Sequence, residues 1–138
     1  MINFNYETDF ALEDADTTSQ WISSVIKNEN CIEGDINYIF CNDDYLHKLN
    51  LEFLDHDTLT DIISFDYTVG KELHGDVFIS IDRVMENSKS FDVGFQEELH
   101  RVIIHGILHY CGYKDKTDGE KLIMREKENH YLSMLHHI

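Results

Sequence analysis

The chain has 138 residues, a formal net charge of −16 at pH 7, 42% apolar residues and 12% aromatic residues. That length suits a single domain with a proper core, and that composition excludes a disordered chain. The acid excess argues against a protein that holds nucleic acid on a general basic face, and no apolar run approaches the roughly 20 residues of a membrane span.

Taken in chain order, Ile2, Phe4 and Tyr6 alternate with asparagines as a short strand does. Thr17-Thr18-Ser19-Gln20 has the spacing of a capping box and is expected to start a helix with Trp21, Ile22, Val25 and Ile26 on its apolar face. Ile36, Tyr38 and Phe40 alternate in a second strand. Asn42 is placed to cap a helix with Asp43 and Asp44 in its first turn and Tyr45, Leu49 and Phe53 facing inward. Residues 55–59 read as a polar loop. Strands at 61–67 and 76–81 follow, joined by a turn around Gly70, and then a short helix over 82–90.

A long helix is expected from about Gly94, with Glu97 and Glu98 in its first turn and Leu99, Val102, Ile103 and Gly106 buried. Thr117-x-x-Glu120 is a second capping box, opening a last helix through Met124, Tyr131 and Leu135. The chain has no proline, no repeat and no low-complexity tract, so nothing marks a linker. The expected fold class is therefore α+β, one mixed sheet of about four strands packed with about five helices, in a single domain over 1–138. No basic-then-apolar segment opens the chain, so a cytoplasmic protein is expected. Cys31, Cys41 and Cys111, odd in number and far apart in sequence, read as reduced, buried thiols.

The chemistry concentrates in His105-Gly106-Ile107-Leu108-His109-Tyr110-Cys111-Gly112-Tyr113-Lys114-Asp115. Histidines four apart lie on one helix face about one turn from each other. Gly112 can end the helix and turn the chain back, so that Asp115 closes on what the two imidazoles hold. Two His and one carboxylate make the pattern of a zinc site with one position open for water, so His105, His109 and Asp115 are the expected metal ligands. No other catalytic group is expected beyond the metal-bound water. Gly106 stands where the His-Glu-x-x-His metallopeptidases carry their general base, which weighs against a peptidase.

The same segment resembles the motif of the YbeY family, the bacterial rRNA-maturation endoribonucleases, His-Gly-x-Leu-His-x-x-Gly-Tyr-Asp-His. Leu49-Asn50 followed by Thr60-Asp61-Ile62-Ile63-Ser64-Phe65 resembles that family's Leu-Asn segment and its Thr-Asp-Val-Leu-Ser-Phe strand. Gly75-Asp76-Val77-Phe78-Ile79-Ser80 resembles its Gly-Asp-Ile-x-Ile-Ser strand. The resemblance implies a metal-dependent, single-strand-specific endoribonuclease with one Zn2+ ion. It implies action in late maturation of the 16S rRNA 3′ end and in ribosome quality control, with rRNA and the small ribosomal subunit as partners and no membrane. The chain departs from the pattern twice. Asp115 stands where the family has a third histidine, a mild change because carboxylates ligate zinc. Leu54 stands where the family has an arginine, and leucine can neither clamp phosphate nor stabilise transition-state charge.

Among the remaining candidates, His100 points about 180° away from His109 and should not join the site. His56 and His74 fall in loops, His136 and His137 at the tail, either disordered or solvent-facing, and Cys111 reads as packing. Thr60, Asp61 and Ser64 either line the cleft or cap and pair their strand. Lys114, Lys116, Lys121, Arg125 and Lys127 gather five of the 11 basic residues into a neutral stretch over 114–128. Two alternatives stand beside the endoribonuclease: a metal hydrolase of another substrate class, and a zinc-containing ribosome-assembly module with little catalysis.

Overall fold

The computed structural model describes residues 1–56 and 58–135, so the expectations for His136 and His137 lie outside the described residues. Four strands, β1 (Ile2–Tyr6), β2 (Ile32–Cys41), β3 (Ile62–Asp66) and β4 (Glu72–Ser80), form one sheet in the order β1-β2-β4-β3. β1 and β4 both run parallel to β2, and β3 returns antiparallel along β4. Five helices accompany them: α1 (Ala15–Asn28), α2 (Asp43–Leu54), α3 (Ile81–Ser90), α4 (Phe95–Tyr110) and α5 (Asp118–Leu135). This is the expected α+β class with one mixed sheet.

The period-2 geometry of the strands divides the core in two. Ile36, Tyr38 and Phe40 of β2, with Val77 and Ile79 of β4, face a large cluster that α1, α4 and α5 cover. Cys41, Ile63, Phe65 and Phe78 face the other way, where α2 supplies Leu46 and Leu49. Within the larger cluster, Trp21 Nε1 donates to Tyr131 O at 2.8 Å, joining α1 to α5. Tyr38 Oη donates to Ile103 O at 2.9 Å, joining β2 to α4.

Helix α4 carries the motif histidines, and its packing is what fixes them. Leu99, Ile103, Ile104, Ile107 and Leu108 have no exposed surface, each worth about 1.5–3 kcal/mol on burial. Gly106 faces the sheet, where an added Cβ would lie 3.3 Å from Ile62 Cδ1 and 3.4 Å from Val77 Cγ1. A glycine here lets α4 settle close to β3 and β4. It also means that a glutamate at 106 would point into apolar contacts, not towards the histidines.

Three local expectations are corrected. Helix α1 starts earlier than the Thr17 capping box: Asp14 is the N-cap, accepting from Thr17 N, and Thr17 is already inside the first turn. On α2 the buried positions are Leu46 and Asn50, while Tyr45 and Phe53 are exposed. The small second face of the sheet leaves room for a narrower stripe than the sequence suggested. Cys41 is buried, with its thiol pushed up to about 12 by burial, but Cys31 and Cys111 are partly exposed. Those two are distant in sequence, and their side chains lie near enough in space to influence each other.

A second close approach supports the end of α4. Tyr110 Oη donates to Phe65 O at 3.0 Å and to Asp76 O at 3.3 Å, across the backbone of Gly75. A Cβ on Gly75 would overlap the Tyr110 hydroxyl and lie 2.6 Å from Phe65 O. Gly75→Ala is therefore expected to lower stability by about 2 kcal/mol, the usual cost of overpacking a filled site. Urea unfolding with an unchanged midpoint would show that Tyr110 moves aside freely.

Candidate metal centre

The site is built by one helix, the turn that ends it, and the strand and helix that face it. Gly112, at φ +105°, takes a conformation that L side chains rarely adopt and stops α4. Its N–H donates to His109 O at 3.0 Å, and Tyr113 N donates to Leu108 O at 3.0 Å. The turn sends the chain back over the helix end. Asp115 Oδ2 then lies 3.2 Å from His105 Nε2 and 3.4 Å from His109 Nε2, and the two Nε2 atoms are 2.9 Å apart.

The hydrogen bonds on the far side of each ring decide what those nitrogens present. His105 Nδ1 is 2.7 Å from Glu128 Oε2, and His109 Nδ1 is 3.0 Å from Tyr113 O. Both partners only accept, so each Nδ1 carries the proton, and each neutral ring turns an Nε2 lone pair inward. In their neutral forms the two rings thus offer Nε2 lone pairs to the point that the Asp115 carboxylate also faces. The donor set suits a divalent cation: tetrahedral bonds of about 2.0–2.1 Å imply ligand separations of about 3.3–3.4 Å, which the two Asp115 separations match, while the Nε2–Nε2 separation of 2.9 Å is shorter. His105, His109 and Asp115 together can hold one metal ion.

Around this cluster lies an open cavity of about 480 Å³. Thr60, Asp61 and Ser64 from β3 and the segment before it form one wall, so these residues do line the cleft. Glu98 and Arg101 come from α4, and Arg125 and Glu128 from α5. Burial pushes Asp61 and Glu98 above the ordinary carboxylate range, and their mutual repulsion raises Glu98 further. Burial acts the same way on Glu128, but its bonds to His105 and Arg101 outweigh it and hold that carboxyl low. For His105, burial favours the neutral ring, yet Glu128, Asp115 and Asp61 together raise it above 6.5.

The other candidates stand apart. His100 meets the Trp21 ring edge-on at 5.7 Å, and it lines a different cavity with Gln96 and Leu132. His74 lies in β4 and not in the loop expected, where it contacts Glu72 at 2.9 Å and accepts from Asp35 N at 3.1 Å. Neither His56, His74, Cys111 nor Leu54 lines the metal cavity. The residue that sequence reasoning missed is Glu128, treated there only as one charge among many. A signal was available: Met124, Glu128, Tyr131 and Leu132 share the buried face of α5, and an acid on such a face needs partners. Arg101 Nη1, at 3.0 Å, is its second one.

Fold and site describe an α+β protein whose cleft can hold a metal ion on two histidines and a carboxylate. The family described as Endoribonuclease YbeY matches residues 2–136. A protein of Flavobacterium johnsoniae named Endoribonuclease YbeY is 60% identical, covering 99% of this chain and 98% of its own length. One of the same name from Flavobacterium psychrophilum is 58% identical, covering 99% and 97%. The solution structure of TM1509 from Thermotoga maritima superposes with a TM-score of 0.72 at 28% identity, over 98% of this chain and 89% of that one. The chain belongs to the Endoribonuclease YbeY family, and its enzyme class is accordingly that of an endoribonuclease.

The Glu128–His105 pair makes a testable contribution before any metal binds. Glu128 is held below 4.5, so its share of stability is complete above pH 4.5 and is lost as pH falls through the lowered value. His105 is held above 6.5, so its share is complete below pH 6.5 and is lost as pH rises through the raised value. In metal-free protein the stability gap between wild type and Glu128→Gln should be widest between pH 4.5 and 6.5. Glu128→Ala, which strands Arg101 in a half-closed site, should cost roughly 3 kcal/mol. A gap that does not vary with pH, read by urea titration, would show the pair to be uncoupled.

Proposed function

We propose that this chain is a zinc-dependent, single-strand-specific endoribonuclease acting late in maturation of the 16S rRNA 3′ end and in ribosome quality control. On this reading residues 1–138 form one such domain, working in the cytoplasm with rRNA and the small ribosomal subunit as partners. The observation that carries it is the convergence of two Nε2 lone pairs and a carboxylate in an open cleft. It stands in a chain 60% identical to a protein named Endoribonuclease YbeY. His105, His109 and Asp115 are the proposed ligands of one Zn2+ ion, a set of two imidazoles and one carboxylate that suits zinc.

When bound, such an ion activates water near neutral pH and polarises a phosphoryl oxygen. The chain's own residues do the rest. Glu128 and the Tyr113 carbonyl fix the two rings and their tautomers, a form of support whose loss usually costs 10–100-fold in metal affinity. In the hydrolysis, a water oxygen bonds to phosphorus as the P–O bond to the leaving nucleoside breaks, and the leaving oxygen takes up a proton. Gly106 faces Ile62 and Val77, so the peptidase version of this chemistry has no place for its glutamate. The net charge of −16 opposes free RNA, which favours a substrate presented on the ribosome. No helix among the described residues is long and apolar enough to cross a membrane.

Purified His105→Ala and His109→Ala should each lose stoichiometric zinc. Asp115→His should retain it, and Asp115→Ala should weaken it by about tenfold or more. Wild-type zinc content in both histidine variants would place the metal elsewhere.

Cleavage of a single-stranded fragment from the 3′ end of small-subunit rRNA should be slow, abolished by chelator and by His105→Ala, and weakened by salt. Single-turnover assays across a salt series decide this. A protein that binds zinc and ribosomal subunits but never cuts would belong to the assembly-module class instead.

A further inference from the structure

We propose that Arg125 binds a phosphate of the RNA substrate beside the His105–His109–Asp115 cluster, supplying the cation that Leu54 cannot. This inference rests on the endoribonuclease reading for the identity of the anion, but the site itself is defined by geometry.

Among the described residues that line the metal cavity, the permanent cations are Arg101 and Arg125. Arg101 is committed to the protein. Its Nη1 lies 3.0 Å from Glu128 Oε1, its Nη2 lies 2.8 Å from Asn129 Oδ1, and its side chain is only 13% exposed. Arg125 differs on each count. Its side chain is 57% exposed, and its contact with Glu128 Oε1 is 3.7 Å, too long for a hydrogen bond. The guanidinium therefore keeps its donors for an incoming group, and its fork matches two oxygens of a phosphate.

Position strengthens the case. Arg125 stands where the metal cavity meets a shallower one of about 280 Å³, also lined by Lys121, Met124 and Asp115. A strand of RNA with one phosphate at the cluster and its neighbour in the shallower cavity would pass over Arg125. The surrounding charge makes such a cation necessary. Asp61, Glu98, Asp115 and Glu128 all line the metal cavity, so an anion entering without a compensating guanidinium would meet carboxylates. Leu54, at the end of α2, does not line this cavity and brings no charge to it.

The test uses the full chain loaded with zinc, as wild type, Arg125→Ala, Arg125→Lys and Lys48→Ala. The last removes the same charge from exposed α2. Probes are a single-stranded oligoribonucleotide, followed by anisotropy and single-turnover cleavage, and inorganic phosphate, followed by NMR titration. Arg125→Ala should keep zinc content and thermal midpoint, weaken RNA binding about tenfold, and flatten the log–log salt slope by about 1. It should also lose the phosphate-induced shifts. Arg125→Lys should keep the salt slope and recover part of the affinity, while Lys48→Ala should bind phosphate as wild type does. Equal phosphate and RNA binding by Arg125→Ala and wild type overturns the proposal, as does an equal loss in Lys48→Ala. Arg125-dependent phosphate binding in a wild type that cuts no RNA upholds the phosphate site and sinks the endoribonuclease reading. A wild type that binds neither probe sinks both.

Discussion

The bond from His105 Nδ1 to Glu128 Oε2, 2.7 Å long, is the constraint on which the site depends. It joins α4 to α5 across 23 residues of sequence, fixes the ring's tautomer, and so decides that Nε2 faces the cleft as a lone pair. Glu128 can serve because it is itself held: buried, ionised, and paired on its other oxygen with Arg101. The Tyr113 carbonyl performs the same service for His109, at the cost of no side chain, because Gly112 turns the backbone towards the ring. The rings are thereby pre-set for a ligand before one arrives.

What makes those bonds reliable is the burial of α4. Its inner face is locked against the sheet by Leu99, Ile103, Ile107 and the Tyr38 hydroxyl, and Gly106 brings it close to β3. Close approach on the inner face sets the width of the cleft on the outer one. Asp61, just before β3, lines the cavity with His105 because β3 is the sheet edge next to that helix. The glycine that excludes a peptidase-type base thus also shapes the cavity, so one residue carries a packing role and a chemical consequence.

The cleft is richer in carboxylates than an anion-handling site would tolerate on its own. Asp61 and Glu98 are held towards their neutral forms by burial, and Arg101 is spent on Glu128. The balance at the mouth falls to exposed basic groups on α5 and to whatever cation the cluster holds. This local arrangement, not the overall charge, governs how a polyanion meets the site.

The sequence alone determined whatever depends on neighbours a few residues apart. The i,i+4 histidines share a face because a helix has 3.6 residues per turn, and Gly112 ends that helix through its own φ. The Thr117 capping box closes as read, with Glu120 N donating to Thr117 Oγ1 and Thr117 N to Glu120 Oε1. The family resemblance drew on the same local blocks. At the start of α1 the Thr17 capping box does not form, and Asp14 caps the helix instead. Only the tertiary structure decided which face of α2 is buried, which strand borders the cleft, and that Cys31 meets Cys111. It alone singled out Glu128 and left Arg125 unspent, because both depend on which groups from distant segments fill the same low-dielectric space, and spacing along one chain does not specify that.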